Sequence, residues 1–194
     1  MTDPITKEYV DTKSALIRAG LKELKENGYN NFSIRRVAAD CGISCAAPYR
    51  HFKNKSEFVL EIFRYINREW YLTQNVILSE YEDDKERLIE ISVSYVRFLV
   101  EHPDFFAIMM LSIEGMGEEE RVRIKSGVNT CVRGLIENYC KRVGMSDTDR
   151  DRKMYIIRSI IMGGAWMILN EEIEKPEQAL DFVRSSVARE FDIE

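Results

Sequence analysis

Apolar residues recur at three-to-four spacing along almost the whole chain, and no stretch alternates apolar and polar residues at the two-residue period of a strand. That periodicity restricts the fold to the all-α class. Val10, Ser14, Ile17, Leu21 and Leu24 form a stripe that stops at Asn27-Gly28, so the first helix has about five turns and a glycine at its C-terminal end. Ser33 stands where an N-cap is needed for a short helix with Ile34, Val37, Ala38 and Cys41 facing inward, closed by Gly42. A second short helix is expected over residues 44–52. Asn54 with Glu57 three residues on reads as a capping box, opening a long helix whose inner face carries Phe58, Val59, Ile62, Phe63, Ile66 and Trp70.

Further helices are expected over residues 85–102, 104–112, 118–143, 147–172 and 176–191, with a break at Gly115-Met116-Gly117. In the first of these, apolar residues cover too much of the circumference for a surface helix, so it should be buried on several sides. The expected architecture has about nine helices: a three-helix head over residues 1–54 and a larger helical body over 55–194.

Composition narrows the function. The net charge of −5 argues against a nucleic-acid partner until it is divided along the chain. Residues 1–57 hold ten Lys and Arg against seven Asp and Glu, or +3, which leaves 18 against 26, or −8, for the rest. A basic head and an acidic body are what a DNA-binding head would require. No apolar run is long enough to cross a bilayer and the first fifteen residues are polar, so a soluble, cytoplasmic protein is expected. Cys41, Cys45, Cys131 and Cys140 form no CxxC pair and have no matching histidine cluster, which speaks against zinc and against a disulfide framework. There is also no Gly-rich phosphate loop, no nucleophile elbow and no paired-carboxylate constellation, so neither an enzyme nor a bound cofactor is expected.

The two short helices joined by Cys41-Gly42-Ile43-Ser44 have the spacing of a helix-turn-helix, in which the glycine permits the tight turn and the second helix enters the major groove. The wider string is Leu16-Ile17-x-x-Gly20-Leu21-x-x-Leu24, Gly28-Tyr29, Ser33-Ile34-x-x-Val37-Ala38, Gly42-Ile43-Ser44 and Pro48-Tyr49-Arg50-His51-Phe52-Lys53-Asn54-Lys55. It resembles the N-terminal domain of the TetR/AcrR family of regulators. The resemblance implies a three-helix head that reads DNA, a variable body that binds an effector, and two body helices forming a four-helix dimer interface. By position it implies a recognition helix over residues 45–52. Ser33, Ser44, Tyr49 and Lys55 then match phosphate contacts, and Cys45, Ala46, Ala47, Arg50 and His51 face base edges or backbone. Arg35 would lie near the phosphates, and Arg36 is most simply solvated. Pro48 stands where the family more often has an apolar residue such as Leu, and its missing N–H is tolerated only near a helix start.

Within the body, Trp70, Tyr95, Phe98, Phe105, Met109, Tyr139, Met162 and Trp166 are large, soft side chains suited to lining a pocket for a largely apolar effector. A plain helical core would use the same residue types. Ile156, Ile157, Ile160, Ile161, Met167 and Ile168, with the small Gly163 and Gly164, make the 147–172 helix apolar over a wide arc. Leu180, Val183, Val187 and Phe191 add a stripe on the last helix, so a homodimer through residues 147–191 is expected, reading a pseudo-palindromic DNA operator.

Overall fold

The computed structural model describes the backbone of residues 4–110 and 118–192 and the side chains of residues 12–106 and 131–192. It is helical throughout: α1 (Pro4–Asn31), α2 (Ile34–Asp40), a 3-10 turn (Pro48–Arg50), α3 (Lys55–Glu80), α4 (Asp84–Glu101), α5 (Pro103–Met110), α6 (Glu118–Val143), α7 (Asp147–Leu169) and α8 (Pro176–Glu190). Among the described residues these are eight α-helices and one 3-10 turn, with no strand. The expected break at Gly115-Met116-Gly117 lies outside the described residues.

Helix ends follow the capping chemistry of the sequence. α1 loses helical geometry at Gly28, where φ is 68°. The Ser33 hydroxyl accepts from the Arg36 N–H at the start of α2, Asp83 accepts from the N–H groups of Lys85 and Glu86 at α4, and Ser146 accepts from Asp149 at α7. At α3 the Asn54 side chain accepts from Glu57 N–H (2.9 Å), while the Glu57 carboxylate reaches back to the N–H of Lys53 (2.6 Å), one residue earlier than an ideal capping box.

The contacts divide the chain into two compact units, Met1–Arg68 with Ala107–Ile124, and Glu69–Phe106 with Lys125–Glu194. The first division falls inside α3, which is continuous across it. In the first unit, Leu16, Ile17 and Leu24 of α1, Val37 and Ala38 of α2, and Phe52, Phe58, Ile62 and Phe63 are buried. Phe58 lies flat against Phe52, with ring centroids 4.0 Å apart and planes at 5°, and edge-on to Phe32 at 5.5 Å.

In the second unit α4, α7 and α8 pack on one another. Leu88, Ile91, Val93, Tyr95, Val96, Phe98 and Leu99 are all buried on α4, the several-sided burial its composition requires. Lys153 is a buried cation on α7. Its ammonium donates to the Glu190 carbonyl, faces the Glu190 carboxylate at 3.8 Å and lies 5.1 Å from the Phe191 ring, so the charge is compensated and α7 is tied to the end of α8.

The last helix corrects one expectation. Leu180, Val183, Val187 and Phe191 are buried within their own chain, with Val183 so close to α7 that a Cβ on Gly164 would stand 2.9 Å from its Cγ2. A three-helix packing with α4 consumes that stripe. The large apolar side chains left exposed on α7 and α8 are Tyr155, Trp166, Met167 and Phe182, while a Cβ on Gly163 would meet open space.

Candidate nucleic-acid interface

The interface is built from the junction of α1 and α2 outward. Glu23, buried on α1, accepts from the Ser33 N–H (3.1 Å), from Arg36 Nε (2.9 Å) and from Asn27 Nδ2 (3.1 Å). Arg36 also donates to the Asn31 carbonyl. Arg36 is therefore a clamp between two helices, which corrects its reading as simply solvated. Nothing in the local pattern signals the pair, because the partners are thirteen residues apart on different helices. Burial by itself raises the pKa of Glu23, but the Arg36 hydrogen bond, the Ser33 N–H, the Arg36 charge and Asn27 together hold it below its usual value of 4.5. A depressed carboxylate contributes stability that is present above its unfolded pKa and lost as pH falls through the folded one. Glu23→Gln is thus expected to lower the melting temperature at pH 7 and to converge with the unsubstituted protein below pH 4.5. Circular dichroism melts across that range check it, and parallel curves at every pH would contradict the clamp.

α2 ends in a tight turn closed by Gly42 N–H to the Ala39 carbonyl and Ile43 N–H to the Ala38 carbonyl, both 3.0 Å. Gly42 has φ of 67°, a conformation open to glycine at little cost. The expected recognition helix then departs from plan. Residues 45–52 form no α-helix; only Pro48–Arg50 is helical, as a 3-10 turn. Pro48 has no N–H to give the Ser44 carbonyl, which instead accepts from Ala47 at 2.9 Å, one residue short of the α-helical partner. The turn is still anchored, since Phe52 N–H reaches the Pro48 carbonyl at 2.9 Å and the Phe52 ring sits in the core.

Above this anchor the segment presents Ser44, Cys45, Ala46, Tyr49 and Arg50 to solvent, with Tyr49 55% exposed. Ala47 and His51 are half-buried at its edge. The His51 imidazole is held neutral at physiological pH by burial and by the charges of Lys13 and Arg50. Arg35 is exposed on α2, next to Arg36, whose guanidinium is bonded to Glu23 while its side chain stays half exposed. Lys55, in the first turn of α3, donates to the Asn30 carbonyl (3.1 Å) and covers the Tyr29 ring at 4.8 Å. An ammonium has three protons, so this anchoring leaves it able to meet a phosphate oxygen. Hydroxyls, a cation and small side chains on a convex turn are chemistry for a DNA backbone and base edges. Among the described residues no group of three or more His, Cys, Asp or Glu could hold a metal ion.

The effector candidates are distributed unevenly. Trp70, Tyr95, Phe98 and Phe105 meet in one buried cluster, with centroids 4.8 Å apart for Trp70 and Tyr95, 5.2 Å for Trp70 and Phe98, and 5.6 Å for Phe98 and Phe105. Tyr139 stands apart, its hydroxyl donating to the Phe191 carbonyl at 2.8 Å. Met162 borders an open hollow on α7, and Trp166 is half exposed with its ring 6.5 Å from Phe106. The side chain of Met109 lies outside the described residues.

Residues 16–62 match the family described as bacterial regulatory proteins, tetR family. Over longer spans the chain is similar to the HTH-type transcriptional regulator CymR of Pseudomonas putida, 24% identical over 93% of this chain and 91% of that one. It is also similar to the nucleoid occlusion factor SlmA of Shewanella amazonensis, 21% identical over 85% of this chain and 82% of that one. Among solved structures it shares its fold with the transcriptional regulator FadR of Bacillus subtilis, crystallised with stearoyl-CoA, at a TM-score of 0.69, 16% identity and coverage of 89% of this chain and 98% of the other. The matched segment coincides with the anchored turn and its exposed Ser44–Arg50 surface, so residues 16–62 are similar to the DNA-binding segment of the tetR family of bacterial regulatory proteins, and the similarities together support a DNA-binding transcriptional regulator.

Proposed function

We propose that the protein is a ligand-responsive repressor that binds a pseudo-palindromic operator as a homodimer in the cytoplasm, with residues 1–54 as DNA-binding head and 55–194 as effector-binding and dimerisation body. The observation that carries the reading is the solvent-facing segment of Ser44, Cys45, Ala46, Tyr49 and Arg50, seated on the buried Phe52–Phe58 stack. Ser33, Arg35 and Lys55 flank it as phosphate contacts, while Ala47 and His51 border the base edges. Cys45 and Ala46 offer only apolar contact, to a thymine methyl for example, so DNA shape supplies part of the specificity.

Self-association through α7 and α8 is supported by Tyr155, Trp166, Met167 and Phe182, exposed there as large apolar side chains. Two-fold symmetry would set two recognition turns about one DNA turn or more apart. An apolar effector is supported by the ring cluster of Trp70, Tyr95, Phe98 and Phe105, with Met109, Tyr139, Met162 and Trp166 as further lining candidates. The stearoyl-CoA in the FadR crystals, a ligand with a long apolar chain, supports the same class. Binding would favour a conformation of the dimer whose heads no longer fit the operator spacing, a population shift of a few kcal/mol at most. Among the described residues no helix is long and apolar enough to cross a membrane. A second reading, control by a protein partner, is favoured only by the similarity to SlmA, a nucleoid occlusion factor by name.

The test is selection of bound fragments from genomic DNA by the purified protein, then titration of the best fragment over a range of salt concentrations. A short pseudo-palindrome bound by two chains is expected, with affinity falling steeply as salt rises. Lys55→Ala should weaken binding to all sequences alike and flatten the salt dependence by about one released ion. Protein that is folded and dimeric yet shows no preference over bulk DNA would overturn the proposal. A saturating effector that leaves operator affinity unchanged would overturn its ligand-responsive part alone.

A further inference from the structure

Three elements of the first compact unit meet at one partly buried ion pair. Lys13 on α1 places its ammonium 2.8 Å from the Glu61 carboxylate on α3 and 5.8 Å from the centre of the Phe52 ring, the anchor of the 3-10 turn. Glu61 stands one helical turn after Phe58, whose ring is stacked on Phe52, so α3 meets the end of that turn through an aromatic contact and a charge side by side. A second cation, Arg64, holds the same carboxylate from the next turn of α3. Burial by itself raises the pKa of Glu61, but the hydrogen bonds and charges of Lys13 and Arg64 outweigh it and hold the group below its usual value of 4.5.

Elsewhere α1 and α3 touch through apolar atoms at close range. Gly20, two turns after Lys13 on the same face of α1, lies so near α3 that a Cβ on it would stand 2.8 Å from Ile62 and 3.0 Å from Phe58. Hydrophobic attraction has no preferred direction, whereas a charge-assisted hydrogen bond does, so the ion pair selects one register of α1 on α3. The same ammonium covers the Phe52 ring, and its charge acts on His51. Helix register and the placement of the turn's last residues are therefore set by one side chain. A pair this exposed on the lysine side contributes little to global stability. Its contribution is to placement.

We propose that Lys13 and Glu61 are positioning residues for DNA reading: their pairing sets where the turn carrying Tyr49, Arg50 and His51 stands against α1 and α3, and neither side chain touches DNA. This rests on the DNA-binding reading above and goes beyond it, since neither residue stands among the expected DNA contacts. Specificity then depends on an interaction one layer behind the surface that meets the operator.

The experiment measures, by fluorescence anisotropy on the full-length protein well below its melting temperature, the preference for the fragment selected from genomic DNA over a fragment of scrambled sequence. Lys13→Met and Glu61→Gln change the net charge in opposite directions, so general attraction to DNA should fall in the first and rise in the second. The preference should fall about tenfold in both, and no further in the double variant, as for two residues acting through one contact. Lys13→Arg, which keeps the pair, should retain most of it. In Lys13→Met, Arg64 still meets the Glu61 carboxylate, so no charge is left unpaired and circular dichroism should be unchanged. Losses that add in the double variant, an equal loss in Lys13→Arg, or a salt dependence flattened by about one released ion in Lys13→Met, the mark of a direct phosphate contact, would overturn the proposal. So would a loss seen only where melting curves show unfolded protein. Unsubstituted protein without any preference overturns this proposal together with the DNA-binding reading, whereas a preference intact in every variant overturns this proposal alone.

Discussion

Phe58→Ala is expected to unfold the DNA-binding head while the body stays folded. Phe58 is fully buried, stacked on Phe52 and edge-on to Phe32, and a Cβ on Gly20 would stand only 3.0 Å from its ring. Truncation removes the transfer free energy of a phenyl ring and leaves a cavity, together about 3–5 kcal/mol. The neighbours cannot close the gap easily. Phe52 is held by its backbone bond to Pro48, and Phe32 sits in the short link between α1 and α2. Both tryptophans, Trp70 and Trp166, belong to the second compact unit, so their fluorescence reports the body alone, whereas circular dichroism reports all helices. The expected result is an early circular dichroism transition with the tryptophan transition unmoved, and no DNA binding at the temperature of the first. A destabilisation below about 1 kcal/mol would mean that the aromatic stack does not organise the head.

The complementary result is expected from Tyr49→Ala combined with Arg50→Ala. Both side chains are exposed, so removing them should change stability little. Deleting a side chain that bonds a base or a phosphate costs a DNA complex about 1–3 kcal/mol, and deleting these two about 2–5 kcal/mol, roughly thirty-fold to several thousand-fold in affinity for the selected fragment. Unchanged melting with DNA affinity reduced by that amount separates recognition from folding. Unchanged affinity would place the DNA-binding surface elsewhere in the head.

What could be read from the residues alone depended on whether the deciding interaction was local. Ser33 and Asn54 announce their helices because a cap is bonded within three residues, and the span 118–143 of α6 follows from periodicity. Ser44, Tyr49 and Arg50 became candidates for recognition through the family string, and the structure exposes all three. The 3-10 turn was only half legible: Pro48 is visible, but whether the turn regains α-helical bonding after it depends on how the chain is anchored at Phe52. The Glu23–Arg36 clamp was not legible, since partners on different helices have no sequence register. Nor was the fate of Leu180 and Val183, because an apolar stripe on α8 reads the same whether a neighbour in its own chain or a second chain covers it.

The interruption at Pro48 also bears on when the chain entropy of the DNA-reading segment is given up. Among the described residues the amides of Cys45 and Ala46 donate no backbone hydrogen bond, whereas those of Ala47, Arg50, His51 and Phe52 each donate one within the segment. Ordering a backbone residue costs about 1–2 kcal/mol, and a continuous helix would meet that cost during folding. If Cys45 and Ala46 meet DNA, their share of it would fall at the moment of binding. Some affinity would then be given up, and these two residues could settle against operators whose groove widths differ.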